Sequence, residues 1–117
     1  MKLRIKGNSI RFRLTPREVN QLCENGMVEE KCKIGDYTCV YRVVSSDEQS
    51  LSARMMNGQV QLNVPMELID GWHQDERVGF EGTDHNELLM SIEKDFSCLQ
   101  EKENEDTEPL YPNPLRH

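Results

Sequence analysis

The chain has 117 residues, of which 36% are hydrophobic and 30% charged, and its formal net charge is −7. That length suits one domain with a single core, and no apolar run approaches the roughly 20 residues that span a bilayer. Charge is unevenly spread: residues 1–17 hold six cations (Lys2, Arg4, Lys6, Arg11, Arg13, Arg17), and all 21 acids follow them. A uniformly acidic surface repels nucleic acid and anionic membranes, whereas this chain has a basic beginning and an acidic end. Met1 to Lys6 alternates charge with hydrophobe and lacks the unbroken apolar stretch of a signal peptide. A cytoplasmic location is therefore expected.

From Leu3 to Leu14 the apolar residues change parity: Leu3 and Ile5 are odd, Ile10, Phe12 and Leu14 even. One regular strand would put the two sets on opposite faces. A two-residue turn at Gly7-Asn8 restores agreement by pairing Ile5 with Ile10 and Leu3 with Phe12, and glycine in first place suits type II′. A bulge near Gly7 in a single long strand does the same; the hairpin is the preferred reading. Thr15, Pro16 and Glu18 then spell an N-cap, a first-turn proline and a capping box. With Gly26 as the left-handed stop, a helix is predicted over 16–25, with Val19, Leu22 and Cys23 on one face.

Gly35-Asp36 pairs Val28–Ile34 with Tyr37–Val44, setting Glu29 against Arg42 and Cys32 against Cys39. Asn57-Gly58 is the preferred type I′ sequence. Counting back from it pairs Met55 with Val60, Ala53 with Leu62 and Leu51 with Val64, six apolar residues on one face. Ser52, Arg54, Gln61 and Asn63 take the other face, the pattern of a half-buried antiparallel ribbon. Pro65 ends that ribbon, and a short helix is predicted near 66–71. A short strand runs from Val78 to Glu81 and closes at Gly82. Residues 88–99 fit either a helix (Leu88, Leu89, Ile92, Phe96, Leu99) or a strand (Leu88, Met90, Ile92), and strand is preferred. Gln100 to Glu108 carries five acids and one lysine, a composition that resists ordering, and Pro109, Pro112 and Pro114 forbid regular structure beyond it. The domain is thus expected over 1–99, with an acidic extension over 100–117.

The segment Lys94-Asp95-Phe96-Ser97-Cys98-Leu99, the acidic run and Tyr111-Pro112-Asn113-Pro114 resemble a signature of small bacterial proteins grouped as a family of unknown function. The stretch from Lys2 to Leu14 and Thr15-Pro16-Arg17-Glu18-Val19 resembles the same family. The likeness spans nearly the whole chain. It implies one folding unit and names no chemistry.

The residues that carry chemistry point mostly to ordinary roles. Cys23, Cys32, Cys39 and Cys98 form no Cys-x-x-Cys pair, and His73, His85 and His117 are scattered, so neither a metal site nor a cofactor is expected. A Cys32–Cys39 disulfide is geometrically allowed across the hairpin, but two small buried thiols in a reducing cytosol are the preferred reading. No Gly-x-Ser-x-Gly elbow, P-loop or dinucleotide fingerprint occurs. His73 with Asp75, Cys98, and the carboxylates near Asp95 are the candidates for an enzyme or metal protein with an unrecognised site.

The N-terminal hairpin offers more. It sets Lys2 opposite Arg13 and Arg4 opposite Arg11, with Lys6 extending the row, and like charges directly opposite are unfavourable. Lys2, Arg4, Lys6, Arg11 and Arg13 are therefore the candidate anion-binding residues. Their partner would be an external anion or the protein's own acidic extension. Nucleic acid is disfavoured, because the aromatics that single-strand binders interleave with charge are missing. The expected fold is α+β: one curved, mostly antiparallel sheet of six to eight strands, barrel-like, with the capped helix against it. Its core is predicted as Ile5, Ile10, Phe12, Leu14, Val19, Leu22, Tyr41, Val43, Leu51, Leu62, Ile69, Trp72, Val78, Phe80 and Ile92. The expected role is that of a small, non-catalytic binding or interaction protein.

Overall fold

The structure is a computed structural model that describes residues 1–96. The first hairpin forms as its parity demands: β1 (Lys2–Lys6) and β2 (Ser9–Leu14) pair Leu3 with Phe12 and Ile5 with Ile10. At the turn Gly7 has φ +55°, and Asn8 stays outside the positive region, the sign pattern of a type II′ turn. Helix α1 (Pro16–Asn25) has the reciprocal capping box of Thr15 and Glu18 and ends at Gly26 in the left-handed conformation. The Gly26 amide donates to the Leu22 carbonyl at 2.9 Å, and the Ser45 amide donates to the Gly26 carbonyl at 2.8 Å. The helix stop is thereby tied to the second sheet.

That sheet begins with β3 (Met27–Ile34) and β4 (Tyr37–Ser46), whose register places Val28 opposite Val43 and Cys32 opposite Cys39. Next come β5 (Ser52–Met56) and β6 (Gln59–Pro65), joined by Asn57 (φ +52°) and Gly58 (φ +74°). Met55 faces Val60 and Ala53 faces Leu62, as the turn chemistry predicts. The short helix near 66–71 is one turn, α2 (Met66–Ile69), followed by a 3-10 turn over Trp72–Gln74. Two last strands, β7 (Gly79–Thr83) and β8 (Leu89–Lys94), complete the described chain. Within the predicted 88–99 segment, Leu89–Lys94 takes the strand alternative and residues 97–99 lie outside the described residues; Gly82 lies inside β7 instead of closing it.

The expected single curved sheet is corrected. Two open, four-stranded sheets form, in the orders β1-β2-β8-β7 and β3-β4-β6-β5. Each consists of two antiparallel hairpins joined through a parallel central pair, β2 with β8 and β4 with β6. Among the described residues no barrel closes. The reason is burial. β2 alternates half-buried with buried residues, and β6 is buried at five of seven positions, whereas β1 and β5 have no buried residue. Strands rich in buried apolar residues go to the middle, where parallel pairing is favoured, and the less buried strands take the edges.

Both sheets feed one core: Ile10, Phe12, Leu14, Met90 and Ile92 from the first, and Val28, Val43, Val60, Leu62 and Val64 from the second. Val19 and Leu22 of α1, with Leu51, Ile69 and Trp72, close it. Tyr41 and Phe80, expected inside, are only partly buried and pack against it. Ile5 and Val78 are corrected outright, at 64% and 56% exposed. Both keep core-facing parity, but they stand at the margins of the first sheet, beyond the area that the other layers cover.

Among the described residues, no helix is long and apolar enough to cross a membrane. The second sheet's outer face carries a polar ladder. Arg42 donates to Glu29 at 2.9 Å and to Gln59 at 2.9 Å; Gln61 donates to Asn63 at 2.7 Å, and Asn63 to Ser52 at 3.0 Å. The ladder satisfies Asn63, which is otherwise buried at 7% exposure.

Two stability predictions follow from these local structures. Gly58→Val places a β-branched residue at φ +74° and should cost about 1 kcal/mol or more; an unchanged melting curve would contradict the type I′ turn. The second concerns the Glu18 carboxyl. Burial pushes it up, but the Met1 ammonium at 2.6 Å and the Thr15 amide at 2.9 Å outweigh that and hold it below its ordinary value. A carboxyl depressed by folding stabilises above its unfolded pKa of roughly 4.3, and the gain vanishes as pH falls through the folded value. Glu18→Gln should therefore lower stability at neutral pH by less than about 1 kcal/mol, given solvent screening. Its deficit should shrink below pH 4, and equal deficits at both pH values would contradict the ion pair.

Candidate anion-binding face

The five cations singled out in the sequence stand on one surface, the outer face of the first sheet. Strand alternation turns Leu3, Phe12 and Ile92 inward, so their neighbours point outward. The register then sets rows across all four strands: Lys2, Arg13, Glu93, Gly79 in one, and Arg4, Arg11, Ser91, Glu81 in the next. A third row runs Lys6, Ser9, Leu89, Thr83. Arg4, Lys6, Ser9, Arg11, Glu81 and Ser91 help to line a shallow depression of about 240 Å³. Three cations and the Ser91 hydroxyl around one hollow are groups that donate hydrogen bonds to a carboxylate or phosphate, whereas the Ser9 hydroxyl donates to the Lys6 carbonyl at 2.6 Å.

Sequence reasoning missed the acids that β8 inserts beside this patch. Glu93 Oε1 accepts from Arg13 Nε at 2.8 Å and lies 3.9 Å from Arg11 Nε, and Asp95 stands 3.3 Å from Lys2 Nζ. These carboxylates relieve the repulsion between cross-strand cations, and only the parallel pairing of β2 with β8 brings Glu93 next to Arg13. The acidic extension at 100–117, the other partner expected for this face, lies outside the described residues.

The residues named for an unrecognised catalytic or metal site separate. Asp75 does not orient His73: its carboxylate sits 2.6 Å from Arg77 Nη2 and 3.8 Å from Lys94 Nζ. Arg77, foremost by its side-chain hydrogen bond, holds the Asp75 carboxyl below its ordinary value. His73 Nδ1 is buried and has no hydrogen-bond partner among the described residues. Lys94, between Glu93 and Asp95 in sequence, faces inward. Its ammonium donates to the Asp75 carbonyl at 2.7 Å and lies 5.6 Å from the Trp72 ring centroid.

His73, Lys94, Asp95 and Phe96 do share a cleft of about 300 Å³ with Leu14, Pro16, Val19 and Asn20 of the α1 region. Cys98 lies outside the described residues. Among them, no group of three or more histidine, cysteine or acidic side chains is arranged to hold a metal ion.

Among curated proteins and among solved structures, none matches the chain. A family model does match, over residues 1–115, which accords with the expected membership of a family of unknown function. The chain therefore belongs to a family of unknown function (DUF7009).

Proposed function

We propose that this is a small, non-catalytic binding protein that takes an anionic partner on the outer face of its first sheet. The observation that supports the reading is the pair of cross-strand rows, Lys2 with Arg13 and Arg4 with Arg11, beside a hollow lined by Arg4, Lys6 and Arg11. Aligning cations directly opposite one another works against the hairpin; Glu93 and Asp95 offset part of that repulsion, and an anionic partner on the same face would offset more of it. Glu81 on the far side of the hollow repels an anion and confines it to the side of Arg4, Lys6 and Arg11. The face lacks aromatic stacking platforms, which argues against single-stranded nucleic acid, and the cytoplasm is the expected setting.

Two variants that change the face in opposite directions test the reading, with polyglutamate as the probe. Arg11→Gln should weaken binding at low salt by about tenfold, the value of one charge-assisted hydrogen bond. Its melting temperature should stay unchanged or rise. Glu93→Gln should strengthen binding while lowering stability by about 1 kcal/mol or less, since the pair it breaks is only part-buried. Binding should also fall steeply as salt is added. Equal affinity in the wild type and both variants would overturn the assignment of this face.

A further inference from the structure

The hairpin of β3 and β4 reaches past the rest of its sheet. β6 joins β4 only from Val40 onward, so among the described residues the pairs Cys32–Cys39, Lys33–Thr38 and Ile34–Tyr37 have no third strand beside them. Such a two-stranded extension opens more readily than a four-stranded sheet. The two thiols expected to be buried are accessible there: Cys32 is exposed and Cys39 partly so. Burial was the physical reason for reading them as inert core residues, and the structure removes it.

Their geometry allows a strained bond. Cys32 and Cys39 are direct cross-strand partners and share a face. Alternation from the Ile34–Tyr37 pair at the turn makes theirs a hydrogen-bonded pair, with Cα atoms about 5.5 Å apart, within the range of disulfides. The Cβ atoms of such a pair stand nearer about 5.5 Å than the roughly 3.5–4.5 Å of a relaxed bridge, so closure must draw the strands together and leaves a bond that is easily reduced. Cys23 differs, because its thiol donates to the Ile69 carbonyl at 3.2 Å and packs against the core.

We propose that Cys32 and Cys39 are a reversible modification site, a dithiol that a small-molecule disulfide closes into a cross-strand bridge. The more exposed Cys32, as thiolate, attacks one sulfur of oxidised glutathione. A mixed disulfide forms, and the first glutathione leaves as its thiolate. Cys39, as thiolate, then attacks the Cys32 sulfur and expels the second glutathione. The two protein thiols lose two electrons and two protons; the glutathione disulfide gains both and ends as two thiols. Exposed bridges of this kind are the readily reduced ones, so a reducing cytosol leaves the pair open and a more oxidising poise closes it.

The test incubates the full chain with oxidised glutathione, quenches with acid, and reads intact mass and peptide maps. The wild type should become two hydrogens lighter, with a bridge mapped to Cys32 and Cys39. The bridged form should exceed the mixed disulfide by at least about tenfold, because the second attack is intramolecular. Cys39→Ser should instead stop with one glutathione on Cys32, and Cys32→Ser with one on Cys39, formed more slowly. Dithiothreitol should restore the reduced mass. Stable glutathione adducts on both cysteines of the wild type would overturn the proposal, as would a bridge mapped to Cys23 or Cys98.

Discussion

The two parallel strand pairs, β2 beside β8 and β4 beside β6, are the contacts on which the rest of the fold depends. They bring together the strands that carry Phe12, Ile92, Val43 and Leu62, all fully buried, and leave the less buried strands β1, β7, β3 and β5 at the edges. Each pair joins hairpins whose internal register their own turns already set. β8 closes the first sheet through the Leu89 amide on the Asn8 carbonyl at 3.0 Å and the Asp95 amide on the Leu14 carbonyl at 2.9 Å. Removing that strand would expose the inner faces of β2 and β7 together and strip two of the core's fully buried side chains, Met90 and Ile92.

The same pairing shapes the candidate face. β1 and β2 alone make a ribbon of opposed cations, which is unfavourable. β8 adds Glu93 beside Arg13 and Ser91 beside Arg11, and β7 adds Glu81 beyond Ser91. Stability and charge display thus share one face: Glu93 and Asp95 lie beside Arg13 and Lys2, Glu93 also approaches Arg11, and Arg4, Lys6 and Arg11 line the hollow. On the other sheet Arg42 is spent on Glu29, Gln59 and Gln61, so that face stabilises its own strands.

Much of this architecture is legible in the residues because turns and caps are local. Gly7-Asn8, Gly35-Asp36 and Asn57-Gly58 each set a register that alternation confirms on both flanks, and Thr15, Glu18 and Gly26 bound the helix. The joining of hairpins is not local. Nothing near Ile92 marks Phe12 as its neighbour, so the expected single sheet gave way to two. Ile5 and Val78 have core parity but occupy sheet margins, which parity cannot register. Cys32 was misjudged for the same reason: its strand runs past the last residue that β6 covers. The five cations were legible because one hairpin holds them all, whereas Glu93 and Asp95 reach them only through tertiary pairing.

Inter-strand nuclear Overhauser effects report whether each sheet is built around a parallel pair. Amide-to-α-proton cross-peaks should follow the parallel registers Phe12 with Ile92 and Val43 with Leu62. No antiparallel pairing should join β6 to β7. A continuous antiparallel series of cross-peaks running from β1 through β7, as in one curved sheet, would contradict the two parallel pairs.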